Sequence, residues 1–167
     1  IKGNVGIGHT RWATHGIPSK TNAHPHSSGD VAVVHNGIIE NYDELRKKLE
    51  KKNFIFESDT DTEVIAHLIS FFLKKNLSPL KATITALKKV EGAFALGIIF
   101  SGINNYLICA KRGSPLAIGK GKNCNYIGSD SIALAPLTQK LCYLNEGDIA
   151  EISSNDFRVY NQDGIRV

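Results

Sequence analysis

The 167-residue chain contains no methionine and only three cysteines, Cys109, Cys124 and Cys142. They are too few and too scattered for a disulfide framework, and none forms a Cys-x-x-Cys pair, so a reducing, cytoplasmic setting is expected. Long apolar stretches are missing too. The longest, Val64 to Leu73, is interrupted by His67 and falls far short of the roughly 20 residues that cross a bilayer. No basic leader with an apolar h-region is present, and the chain opens at Ile1 inside IKGNVGIG, which does not read as a translation start. There is no block of one charge sign. The net charge of +4 comes from lysines interleaved with acids, as in RKKLEKK, without an aromatic-rich basic groove, so neither nucleic acid nor membrane is an expected partner. Internal repeats and low-complexity linkers are also lacking. The chain therefore reads as one domain over residues 1–167, long enough to bury a core without disulfides or a metal.

Two kinds of periodicity are present. VAVVHNG at 31–37 reads as a buried strand running into a tight turn. A helix follows, with Asn41 as its cap, Glu44 three positions on, Tyr42, Leu45 and Leu49 on one face, and a Glu44–Lys48 pair. A second helix begins after Thr60, with Glu63 completing the cap and Val64, Ile65, Leu68, Ile69 and Phe72 as its apolar stripe. Ser78-Pro79 opens a third, with Leu80, Ile84 and Leu87 inward and Gly92 beyond its end. From there the pattern becomes short β-type runs: AFALGIIF, NYLICAKR, PLAIGKG, NYIGSD, KLCYL, DIAEIS, DFRVY and GIRV. Grouped helices followed by grouped strands predict an α+β domain with antiparallel sheets rather than alternating βαβ units.

The densest polar cluster is HTRWATHG at 9–16, followed by NAHPH at 22–26, HNG at 35–37 and SDTDTEV at 58–64. These segments resemble the class II, N-terminal-nucleophile amidotransferases, and within them the glutaminase domains of the glutamine:fructose-6-phosphate aminotransferases, or glucosamine-6-phosphate synthases. RGSPLAIG at 112–119, SDSIALAPLT at 129–138 and NEGDIAEI at 145–152 extend the resemblance along essentially the whole chain. The related amidophosphoribosyltransferases usually carry a tyrosine where Trp12 stands.

The resemblance implies a four-layer αββα sandwich of two antiparallel sheets between helices. It also implies an N-terminal catalytic cysteine, which Ile1 does not supply. The chain is therefore expected to be a partial domain, inactive alone, with nucleophile and sugar isomerase domains elsewhere in a homo-oligomeric parent. That parent would hydrolyse glutamine, without a cofactor, and pass ammonia to fructose 6-phosphate. Cys109 and Cys142, in apolar strand patterns, read as inert. The alternatives are another class II amidotransferase or a glutamine-binding module without catalysis.

A site selective for glutamine needs a cation, an anion and donors for a developing oxyanion. Arg11 suits the α-carboxylate through its planar fork, although a surface ion pair is its plain alternative. The resemblance places Asp61 on the α-ammonium, the plain alternative being a first-turn acid that complements the helix dipole. It places the oxyanion hole at Asn36 and Gly37, which alone would read as a hairpin turn. Residues 11–19 resemble a loop that closes over substrate. Thr14 and His15 would line the pocket and Trp12 would face the ammonia exit or pack in the core. His24 and His26 would support the loop by hydrogen bonding. They have no acidic or cysteine ligand at an accepted spacing beside them, so no metal is expected.

Overall fold

A computed structural model of the chain describes residues 3–11 and 16–167. Its strands are β1 (His26–Ser28), β2 (Val31–Ile39), β3 (Gly92–Phe100), β4 (Leu107–Arg112), β5 (Ala117–Lys120), β6 (Asn125–Gly128), β7 (Leu141–Tyr143), β8 (Ile149–Ile152) and β9 (Phe157–Tyr160). Three helices, α1 (Tyr42–Glu50), α2 (Glu63–Leu73) and α3 (Pro79–Leu87), lie between β2 and β3, and a single turn, α4 (Ser131–Leu134), follows β6. The strands form a six-stranded antiparallel sheet in the order β1-β2-β3-β4-β8-β9 and a three-stranded one in the order β6-β5-β7.

Alternation along the strands sorts residues into two cores. In β3, Phe94, Leu96, Ile98 and Phe100 face the three helices, whereas Ala95 and Ile99 face the smaller sheet. On the helix side they meet Leu45 and Leu49 of α1, the α2 stripe and Leu87 of α3. Between the sheets, Cys109 and Ala150 pack with Ile118 and Leu144. On the opposite side of β5 from Ile118, a Cβ added at Gly119 would stand 3.7 Å from Leu134, so α4 covers the outer face of the small sheet. Helices, large sheet, small sheet and this short turn give the α+β, four-layer αββα order, with the last layer reduced to one turn.

Several local expectations change. The Asn36-Gly37 pair is not a turn: β2 runs through it to Ile39, with Asn36 opposite Ala95 and Gly37 opposite Phe94. Asn41 precedes α1 but makes no capping bond to it; its side chain donates to Lys89 O (2.9 Å) and accepts from Glu91 N (3.0 Å), bracing the start of β3. The Glu44–Lys48 pair does form. GIRV at the C-terminus contributes one isolated bridge, Tyr160 to Arg166, rather than a strand. The short β1 and α4 had no periodicity to announce them.

The start of α2 also differs from a simple cap. Thr62, not Thr60, precedes the helix and makes no capping bond. Glu63 instead reaches back to the segment before it. Its carboxylate accepts from Glu57 N (2.9 Å), Ser58 N (2.8 Å) and Ser58 Oγ (2.6 Å). His67 Nε2 lies 3.3 Å away, within electrostatic reach but off the line of a hydrogen bond, while its Nδ1 pairs with Ser28 Oγ at 2.8 Å. Burial works to raise the Glu63 carboxyl, but His67, Ser58 and the Glu57 and Ser58 amides outweigh it and hold it at about 2 against an ordinary 4.5. The loop 57–62 is thereby tied to the first turn of α2.

Two outcomes follow from this packing. A carboxyl whose folded value lies below its unfolded one stabilises the fold fully above the unfolded value and loses that contribution as pH falls through the folded one. Urea midpoints should therefore drop between about pH 4.5 and about 2, and Glu63→Gln should start from a lower midpoint at neutral pH and drop less steeply over that window. Cys109 has no exposed surface and burial pushes its thiol up. A thiol reagent should consequently label it only at the rate of global unfolding, whereas half-exposed Cys124 reacts in the native protein.

Candidate active site

A cavity of about 340 Å³ opens beside the second half of β2, lined by His9, Arg11, His24, His35, Asn36, Gly37, Ile38 and the loop residues Thr60, Asp61 and Thr62. Segments remote in sequence meet here. The strand supplies Asn36 and Gly37, the Glu63-anchored loop supplies Asp61, and the segment leading to His9 runs beside β6, with Val5 and Ile7 packed into the inter-sheet core.

Gly37 is required by its surroundings. Its φ is +132°, and an added Cβ would lie 2.1 Å from Ala93 O, an overlap no side chain can relieve because the obstacle is backbone. Glu40 N bonds to Glu91 O across the β2–β3 ladder, so even-numbered residues of β2 direct their N–H groups to β3 and odd-numbered ones direct theirs to the other side. On that side Ile39 N donates to Asp61 Oδ2 at 2.8 Å. The partner strand β1 reaches only as far as Val33. The Gly37 N–H thus lies on the cavity side of the strand, beyond the end of its neighbour.

Asp61 is buried, with only 4% of its surface exposed. One carboxylate oxygen is committed to Ile39 N; the other makes no hydrogen bond to a described residue. Arg11 has a left-handed backbone, φ +49°, and its guanidinium donates to Gly16 O (3.0 Å) and Ile17 O (3.4 Å). The cavity therefore carries a cation and an anion on its wall, the cation braced by its own loop. Gly16, at φ +73°, lies so close to Asn22 that a Cβ would stand 2.6 Å from Nδ2.

Histidines dominate the remaining wall. His24 and His35 share Thr62 Oγ1 at 3.1 and 3.0 Å, and His26 bonds to Thr60 Oγ1 at 3.0 Å. Burial, reinforced by His9, His26, His35 and Arg11, lowers His24 to about 3, so its ring is neutral near pH 7. Burial also lowers His26, against the opposing pull of Glu63. His9 stacks on His24 with centroids 4.3 Å apart; its Nε2 contacts Asn36 Oδ1 at 2.5 Å and its Nδ1 accepts from Arg11 N at 2.8 Å. Among the described residues no three His, Cys, Asp or Glu side chains are arranged to hold a metal.

Of the residues singled out in the sequence, Arg11, His24, Asn36, Gly37 and Asp61 come together on the cavity. His26 sits behind it on Thr60. Trp12, Thr14 and His15 lie outside the described residues. The sequence alone points to no role for His9, His35, Thr62 or Asn22, and to Thr60 only as a helix cap, although each falls inside a quoted motif. Asn22 is 1% exposed and joins the loop at 16–22 to the one at 57–62, donating to Ile17 O (3.0 Å) and accepting from Asp59 N (2.9 Å). Their signal was only that short polar residues recur inside the motifs; partners 27 to 38 positions away complete it.

The chain is 51% identical over its full length to glutamine-fructose-6-phosphate aminotransferase (isomerizing) of Mesorhizobium japonicum, and 48% identical, again over its full length, to the protein of that name in Gluconobacter oxydans. It spans 28% of the length of each. Among solved structures, the glutamine phosphoribosylpyrophosphate amidotransferase of B. subtilis, complexed with ADP and GMP, superposes with a TM-score of 0.75 at 26% identity, covering 92% of this chain and 34% of that one. A glutamine aminotransferase class-II domain protein of Silicibacter pomeroyi shares the fold at a TM-score of 0.60 and 13% identity, covering 83% of this chain and 70% of that one. The profile of the glutamine amidotransferase domain matches residues 9–136, from the histidine that meets Asn36 to just past α4, and the chain belongs to that family.

Proposed function

We propose that residues 1–167 are one partial domain, the glutaminase part of a cytoplasmic, homo-oligomeric enzyme that hydrolyses glutamine and passes the ammonia to fructose 6-phosphate to form glucosamine 6-phosphate. The observation that carries this reading is the convergence of Arg11, Asp61, Asn36 and Gly37 on one cavity, supported by relatives named for that transfer. Arg11 binds the α-carboxylate of glutamine. Asp61 takes the α-ammonium with the oxygen that Ile39 leaves available. These two hold the head group so that the side-chain amide extends toward β2. There the Asn36 amide and the Gly37 N–H receive the negative charge that develops on the amide oxygen when a nucleophile attacks. His24 and His26 brace the loops through Thr62 and Thr60, and Trp12, Thr14 and His15 complete the lid side of the pocket.

No cysteine lines the cavity. Cys109 is sealed between the sheets and half-buried Cys142 packs against the same core, so the nucleophile is assigned to an N-terminal cysteine of the parent protein. This fits a chain with 28% of its relatives' length. A second reading, a glutamine-binding module without catalysis, is favoured by the same lack of a thiol in the cavity. Glutamate release by the parent protein, lost on alkylation, would decide against it.

The head-group clamp is tested in the parent. Asp61→Asn keeps an oxygen for Ile39 N but removes the charge, and with Arg11→Ala it should sharply weaken glutamine use while leaving activity with added ammonia nearly intact. Equal loss of both activities would point to misfolding and remove the assignment. Asn36→Ala should lower glutamine-dependent kcat by roughly 10²- to 10³-fold with a much smaller change in KM, the pattern of a donor that acts mainly in the transition state. A lower melting temperature with normal kcat would instead make Asn36 a structural strand residue.

A further inference from the structure

We propose that His9 is a positioning residue that fixes which end of the Asn36 carboxamide faces the cavity; this rests on the reading of Asn36 as an oxyanion donor. A primary amide has two nearly isosteric ends. Its NH2 stabilises a developing oxyanion and its oxygen repels one, and torsion about the Cβ–Cγ bond of asparagine is broad and roughly two-fold. Something has to choose.

The choice is made by a chain of donors whose direction is forced. It starts at the backbone N–H of Arg11, which can only donate, and which meets His9 Nδ1 at 2.8 Å. Nδ1 is therefore the bare nitrogen, because a proton there would point at another proton. The ring then carries its hydrogen on Nε2. Nε2–H donates to the atom 2.5 Å away, which is Asn36 Oδ1. With the oxygen held on the His9 side, the planar amide turns Nδ2 away from it. Nδ2 has no hydrogen-bond partner among the described residues, and Asn36 lines the cavity that also holds Gly37 and Asp61. The stack on His24, at 4.3 Å and 31° between planes, restrains the His9 ring. The arrangement also couples the two ends of the site, since the peptide that sets the His9 tautomer belongs to the residue assigned to the substrate carboxylate.

The experiment has two arms. On this 167-residue chain, 15N-labelled, a long-range imidazole correlation spectrum should show His9 as the Nε2–H tautomer; an Nδ1–H ring overturns the proposal without bearing on glutamine chemistry. In the parent protein, His9→Phe fills the ring volume without a donor, whereas His9→Gln keeps a donor near the Nε2 position. His9→Phe should cut glutamine-dependent kcat about tenfold, the scale of one lost hydrogen bond, with KM nearly unchanged, and His9→Gln should recover most of it. Adding His9→Phe to Asn36→Ala should cost nothing further, because the amide it orients is gone. Additive losses, or no rescue by Gln in a variant with normal thermal stability, overturn the positioning role while the oxyanion reading stands. An unchanged kcat in Asn36→Ala removes that reading, and this proposal with it.

Discussion

The register between β2 and β3 is the constraint on which the rest depends. Nine consecutive pairs, from Val31 opposite Phe100 to Ile39 opposite Gly92, place Val31, Val33 and Ile39 against the helices and leave Val34 facing the inter-sheet side. A slip of one residue would exchange the two faces. It would drive the apolar helix-side residues toward the other core and turn Asn36 away from the cavity. Gly37 reinforces the register locally, since its close approach to Ala93 O admits no other residue. The ladder that builds the core thus also aims the amide.

Around that ladder, the site is assembled from buried polar groups that largely bond to one another, although His24 Nδ1 has no hydrogen-bond partner among the described residues. Asn22, His24 and His26 reach across to Asp59, Thr62 and Thr60, so the loop before β1 and the loop before α2 are joined at three points. Glu63 secures the second loop from behind through two amides and a hydroxyl. Burying these groups without such bonds would be costly. Paired, they hold Asp61 against Ile39 N and keep the wall of the cavity in one arrangement. His24 contributes as a neutral ring, which spares the site an additional positive charge beside Arg11.

In the proposed site, chemistry and fold therefore share residues. Asp61 both pins the end of β2 and presents an anion to the cavity, and the Arg11 peptide both continues the chain and sets the tautomer of His9. In such a site, substitutions separate the two functions only when they preserve the backbone bond, as Asn does at position 61. No cysteine lines the cavity beside Asn36, so in the proposed function this chain supplies the binding and charge-stabilising residues and the nucleophile comes from the parent protein.

Much of this was legible in the residues themselves. The stripe from Val64 to Phe72, Ser78-Pro79 at the head of α3 and the β-type runs after Gly92 are local patterns, set by 3.6- and 2-residue periods and by the fixed φ of proline, and apart from GIRV they appear as α2, α3 and β3 to β9. The motifs around Arg11, Asn36 and Asp61 likewise marked where polar groups gather. Tertiary structure decided the rest. Asn-Gly is locally a good hairpin turn, yet pairing with Ala95 and Phe94, almost sixty residues away, keeps it in a strand. Asn41 and Glu63 carry the local signature of helix caps, but Asn41 bonds to Lys89 and Glu91, and Glu63 to Glu57 and Ser58. His9 acquires a role only because Asn36 stands 27 positions further along the chain. Short-range periodicity fixes which segments are helix or strand, whereas the partner of a buried donor or acceptor is settled only when folding removes water and leaves other parts of the chain to satisfy it.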